Sequence, residues 1–131
     1  MTNSYDGKKV LVVDDNESLT TVLVDKLKLS GLDATPATDG EDGLNKALSL
    51  HPDIILLDLL MPKMDGLTML KKLREDKWGK DCKVIVLSLV EEMDYISKAV
   101  EYNVFGYIVK TNYTLDGMVE KIKLALEDIK P

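Results

Sequence analysis

The chain has 131 residues, a net charge of −6, and 45% hydrophobic against 31% charged residues, the balance of one globular domain with a real core. The acidic excess argues against a sequence-independent nucleic-acid surface, which needs basic charge, and no apolar run approaches the roughly 20 residues of a membrane span. The segment Met1–Asp6 lacks the basic-then-apolar order of a secretory signal, and Cys82 is the lone cysteine, so no internal disulfide forms and a reducing, cytoplasmic setting is expected.

Lys8 to Val13 follows a turn at Asp6-Gly7 and is an apolar run ending in Asp14 and Asp15. An unbroken apolar run without alternation suits a strand buried on both faces, as in a parallel sheet. Asn16 can cap a helix with Leu19, Val22, Leu23 and Leu27 on one face, and Ser30-Gly31 ends it. Asp33 to Ala37 is a short strand whose Pro36 suits a sheet edge. Asp39-Gly40 opens a helix with Leu44, Ala47 and Leu48 on its apolar side, closed by His51-Pro52. Ile54 to Leu57 then runs straight into Asp58. A carboxylate has no reason to sit inside such a strand, but it fits the C-terminal end, where open α/β sheets place their ligands. Pro62 stops the ladder, and Asp65, read as a cap, and Gly66 start a third helix through Leu67, Leu70 and Leu73.

Glu75 to Asp81 is polar and reads as a loop; Lys83 to Leu87 is a fourth strand, ending at Ser88. A fourth helix is expected from about Glu91 to Tyr102, with Asn103 in the left-handed position after it. Gly106 to Val109 is a fifth strand, ending at Lys110. Thr114 caps a last helix with Leu115, Met118, Val119, Ile122, Leu126 and Ile129 on one stripe. Five strands thus alternate with five helices, which implies βαβ units around a parallel sheet with helices on both faces. There is no repeat, linker or change of composition, so residues 1–131 read as one domain. Pro131 leaves no room for an output domain in this chain, and a domain cut from a longer protein would look the same.

Asp14, Asp15, Asp58, Ser88 and Lys110 all fall at strand ends, which lie on one edge of a parallel sheet. Strand-end acids taken singly are caps or solvated turn residues; gathered in one crevice with a lysine they are a site. Clustered carboxylates raise one another's pKa, and a hard divalent cation such as Mg²⁺ relieves that repulsion through oxygen ligands. Lys110 offers a cation and Ser88 a hydroxyl to phosphoryl oxygens, leaving Asp58 to act as a nucleophile that forms an acyl phosphate. Other candidates read as structural: Cys82 as a small strand residue, His51 as a loop residue rather than a phosphoryl carrier, Trp78 as packing over its loop, and Met61, Met64, Met69 and Met93 as filler.

Val12-Val13-Asp14-Asp15-Asn16, Asp58 followed by Met61-Pro62-Lys63-Met64-Asp65-Gly66, Ser88, and Tyr107 three residues before Lys110 together resemble a receiver domain of the two-component response regulators. The resemblance covers essentially the whole chain and implies an α/β, flavodoxin-like, doubly wound sheet of order 2-1-3-4-5. It implies that Asp58 takes a phosphoryl group from a sensor histidine kinase or phosphotransfer protein. Asp15, Asp58 and the Leu60 backbone carbonyl would hold Mg²⁺, with Asp14 acting mostly through water. Ser88 and Tyr107 would form a switch, and helix 4, strand 5 and helix 5 the face offered to a downstream partner, an output domain or a second copy. Neither nucleic acid nor membrane is an expected direct partner.

Several positions depart from the family's pattern. Leu89 replaces the usual small residue after Ser88. Thr111 replaces a proline joined through a cis link; that link before Thr costs about 2.5–4 kcal/mol, so either the site imposes the strain or the loop differs. Asn112-Tyr113 lengthens the loop before Thr114. Leu60 and Val90 stand where residues that influence loss of the phosphoryl group are found, and neither orients a water, which implies a long-lived phosphorylated state. The rival is a metal-dependent phosphatase or phosphotransferase with an aspartyl nucleophile. Such enzymes generally carry a general acid where this chain has Leu60, and no glycine-rich phosphate loop is present.

Overall fold

The computed structural model describes residues 5–61, 63–89 and 93–127. Five parallel strands form one sheet: β1 (Lys9–Val13), β2 (Asp33–Ala37), β3 (Ile54–Asp58), β4 (Lys83–Ser88) and β5 (Gly106–Val109). Their order is β2-β1-β3-β4-β5, the doubly wound arrangement expected. The helices are α1 (Glu17–Leu29), α2 (Gly40–Leu50), α3 (Gly66–Glu75), α4 (Met93–Val100) and α5 (Leu115–Glu127). Pro62, Val90, Glu91, Ile129 and Pro131, to which the sequence assigns roles, lie outside the described residues.

Every residue of β3 is buried, which is why its sequence does not alternate. Alternate side chains serve two separate cores. Val10, Val12, Ile54, Leu56, Ile85 and Leu87 pack on one face with α1 and α5. Leu11, Val13, Ile55, Leu57, Val84 and Val86 pack on the other with α2, α3 and α4.

Local signals set the boundaries. The side chains of Asn16, Asp39 and Asp65 cap α1, α2 and α3, and the Thr114 hydroxyl accepts from Gly117 N at 3.0 Å. His51 and Asn103 take positive φ values of 50° and 63° after their helices. Two helix faces differ from expectation. On α1, Leu23 and Leu27 are buried as expected, but Val22 is 43% exposed, and Thr20 and Val24 complete the buried stripe. The four buried residues follow the i, i+3, i+4, i+7 spacing of one stripe, which leaves Val22 on its flank. On α2, Leu48 is exposed, and Gly40, Gly43 and Ala47 face inward. These small residues let α2 lie close to the sheet: a Cβ on Gly43 would stand 2.8 Å from Val13 Cγ1. The Lys110–Thr111 link is trans, and Lys110–Asn112 forms a 3-10 turn, so the loop differs rather than bearing a strained bond.

Candidate functional site

The sheet register assembles the site. β1 and β3 pair so that Val13 lies beside Leu57, which brings the next residues, Asp14 and Asp58, side by side. β3 and β4 pair Asp58 with Leu87, so Ser88 is one step beyond. β4 and β5 pair Ser88 with Val109, which carries Lys110 to the same edge.

Asp14, Asp58 and Ser88 are buried, and Asp15 is exposed at the mouth. One carboxylate oxygen from each of Asp14, Asp15 and Asp58 lies within 4.8 Å of the others, and these acids are the one such group of three or more possible ligands among the described residues. Lys110 Nζ stands 3.1 Å from Asp14 Oδ2 and 3.6 Å from Asp58 Oδ2. Asn16 N donates to Asp14 Oδ1 at 3.0 Å, and Leu60 N to Asp58 Oδ1 at 3.4 Å. Ser88 Oγ and Asp14 Oδ2 are buried without a hydrogen-bond partner among the described residues, the latter 3.1 Å from the ammonium of Lys110. Buried polar atoms left so are rare in folded proteins, and a bound water or ion is one way such atoms are satisfied.

Burial first, and then the nearby Asp14 charge, raise the Asp58 carboxyl to about 7 against the opposing pull of Lys110. One ammonium is therefore too little positive charge for this pocket. The donor set is oxygen only and acidic, which suits a hard divalent cation such as Mg²⁺ rather than a soft metal.

Two further residues support the site: Thr20, which carries no obvious signal in the sequence, and Gly66, which the sequence marks only as the start of a helix. Thr20, buried on α1, donates its hydroxyl toward Asp14 O at 3.2 Å and Asn16 O at 2.9 Å, tying α1 to the acidic loop. A threonine at an inward position of an otherwise apolar stripe is the one hint. Gly66 begins α3 directly against the loop that follows Asp58: a Cβ there would collide with Asp58 O and Leu59 Cα. Its amide donates to Leu59 O at 2.8 Å, which fixes the loop leaving β3.

Other sequence candidates lie elsewhere. Tyr107, on β5, is 45% exposed and outside both cores. Leu60 is 41% exposed beside the acids, and Leu89 is half-buried. Asp65 caps α3 through Thr68 N at 2.8 Å. His51 and Trp78 stack with ring centroids 4.3 Å apart in a cleft of about 570 Å³ at the opposite edge of the sheet, which Cys82 also lines. Burial pushes the Cys82 thiol up to about 12, so it is inert rather than reactive.

The family described as "Response regulator receiver domain" matches residues 10–123, a span that holds every strand-end residue named above. The chain is 36% identical over 105 residues to the chemotaxis protein CheY of Treponema pallidum, covering 78% of this chain and 72% of that protein. It is 50% identical over 71 residues to the alkaline phosphatase synthesis transcriptional regulatory protein PhoP of Bacillus subtilis, covering 54% of this chain and 30% of that one. With RpaA of Synechocystis, a DNA-binding transcriptional regulator, the identity is 28% and covers 48% of that protein, so the chain spans less than half the length of these two curated relatives. Among solved structures, the receiver domain of the Francisella response regulator 1452 superposes with a TM-score of 0.82 at 27% identity, covering 95% of this chain and all of that one. A CheY-like receiver domain from Methanospirillum hungatei superposes at 0.84 with 24% identity, a likeness of fold. This chain belongs to the response regulator receiver domains of two-component signalling, which act as signalling domains rather than as catalysts.

Proposed function

We propose that the chain is a phosphoacceptor switch that takes a phosphoryl group on Asp58 and signals by changing the face formed by α4, β5 and α5. The observation that carries this reading is the buried Asp58 carboxylate, gathered with Asp14 and Asp15 within 4.8 Å and with Lys110 at 3.6 Å. Phosphorylation and a magnesium requirement are general features of the family.

An Asp58 carboxylate oxygen attacks the phosphorus of a phosphohistidine on a sensor kinase or phosphotransfer protein. The new O–P bond forms as the P–N bond breaks, and the imidazole nitrogen keeps the bonding pair and takes up a proton. Asp14, Asp15, Asp58 and the Leu60 carbonyl would hold Mg²⁺. When bound, the ion supplies positive charge that favours the ionised form of Asp58 and offsets the incoming phosphoryl oxygens. Lys110, already paired with the acids, then serves the phosphoryl group, and the unpartnered Ser88 hydroxyl donates to it. Tyr107 leaves its exposed position as Ser88 moves, which alters the face around Met93, Tyr95, Val100, Phe105 and Leu124. A downstream protein, an output domain or a second copy reads that face. Residues 1–131 act as one receiver domain in the cytoplasm, with no direct contact to nucleic acid.

Incubation with Mg²⁺ and acetyl phosphate tests the reading. One phosphoryl adduct by intact mass, absent in Asp58→Ala, supports it. Steady hydrolysis of small phosphate esters would favour the rival metal-dependent phosphatase, which the exposed aliphatic Leu60 beside Asp58 disfavours.

A further inference from the structure

Arg74, in the last turn of α3, is half-buried and has no carboxylate within ion-pairing distance among the described residues. Its guanidinium is spent on main-chain carbonyls. Nη1 donates to Gly79 O at 2.7 Å and to Cys82 O at 2.8 Å, on the turn leading into β4. Nε donates to Tyr102 O at 2.7 Å, and Nη2 to Asn103 O at 3.2 Å. Tyr102 and Asn103 join α4 to β5. One planar cation therefore bridges α3, the start of β4 and the root of the output face. A guanidinium presents its donors as a rigid fork, which a lysine cannot reproduce.

The root of α4 is also anchored by packing. Tyr102 and Val104 rest on the core beneath α4, and Phe105 N donates to Val84 O at 2.8 Å. Along α4 itself only Ile96 and Ala99 are buried, and Met93, Tyr95 and Val100 are exposed. The helix is lightly held along its length and firmly held at its C-terminal end. Its other end follows Ser88 and Leu89 in the chain.

We propose that Arg74 is a positioning residue that clamps the C-terminal root of α4 to the scaffold, so that α4 answers events at Asp58 by moving at its Ser88 end. This rests on the phosphoacceptor reading of Asp58 given above. A free helix could slide as a body, and a small shift of Ser88 would dissipate. A helix pinned at one end converts the same shift into a swing that the exposed face amplifies.

Amide hydrogen exchange on the full chain, with and without acetyl phosphate and Mg²⁺, tests the clamp. In the unsubstituted protein, exchange over residues 93–97 is expected to change by about tenfold on modification, while residues 101–104 stay within about twofold. In Arg74→Lys, exchange over 101–104 is expected to rise about tenfold even without modification, with β1 and β3 unchanged, and the adduct still forms on Asp58. The difference between the two ends of α4 on modification then disappears. Equal responses of 93–97 and 101–104 in the unsubstituted protein would overturn the clamp, and that measurement needs no variant to fold. Unchanged exchange over 101–104 in Arg74→Lys would overturn it as well. Absence of any adduct on the unsubstituted chain would instead defeat the phosphoacceptor reading, leaving the unmodified comparison to judge the clamp.

Discussion

Lys110 Nζ stands 3.1 Å from Asp14 Oδ2, closer than the 3.6 Å that separates it from the Asp58 oxygen it also faces. A single ammonium thus serves two buried carboxylates and leans toward Asp14 rather than the proposed acceptor, Asp58. The pocket is short of positive charge.

The first prediction concerns pH. Burial and then Asp14 hold Asp58 near 7 in the folded chain, above its ordinary 3.8. Between those values the unfolded chain releases a proton that the folded chain keeps. This group's contribution to stability is therefore present at low pH, is lost as pH rises toward about 7, and is flat beyond. The slope is at most about 1.4 kcal/mol per pH unit. Urea denaturation in a chelating buffer, stepped across that range, should show the decline in the unsubstituted protein and a flatter profile in Asp58→Asn. Identical slopes in the two proteins would refute the assignment.

The second concerns the metal. Mg²⁺ should raise the melting temperature, because it binds the folded acid cluster and not the unfolded chain; at a hundredfold excess over Kd the gain is about 2.7 kcal/mol. Asp15 is exposed, so Asp15→Asn should leave the unliganded stability within about 0.5 kcal/mol while abolishing most of the magnesium response. A melting temperature that ignores a magnesium titration would count against the site.

A third prediction separates metal holding from switching. Lys110→Ala removes the one cation paired with Asp14 and Asp58 among the described residues, which should destabilise the metal-free chain by about 1–3 kcal/mol. The variant should keep the thermal response to Mg²⁺ and still lose phosphorylation-dependent partner binding. Normal binding by the phosphorylated variant would strip Lys110 of that role.

The fourth addresses lifetime. Leu60 is exposed beside Asp58 and offers no polar atom of its side chain to a hydrolytic water. The acyl phosphate should therefore persist, and Leu60→Asn with Val90→Glu should hasten its decay several-fold in an assay of retained phosphate. No acceleration in the double variant would overturn the expectation.

Much of the molecule was legible beforehand because its signals are local. Apolar runs ending in acids located β1 and β3, and Asn16, Asp39, Asp65 and Thr114 announced four helices through bonds to amides a turn away. Strand ends of a parallel sheet share one edge, so Asp14, Asp58, Ser88 and Lys110 could be collected without coordinates. Leu19, Val22, Leu23 and Leu27 gave the right helix but the wrong edge of its stripe, since a few tens of degrees of rotation are decided by the neighbour and not by the period.

Tertiary structure alone decided how the site is charged and held. Asp14 and Asp15 are adjacent acids, yet one is buried and the other exposed, because the register of β1 on β3 continues past the last paired residue. The partnership of Arg74 with Tyr102 and Asn103 spans 28 and 29 residues and uses backbone carbonyls, which every residue owns, so no side-chain pattern could advertise it. The amino acids specified which chemistry could gather on the edge of the sheet. Packing specified which oxygen lost its water, and it is desolvation, a property of the assembled interior, that sets the pKa of Asp58.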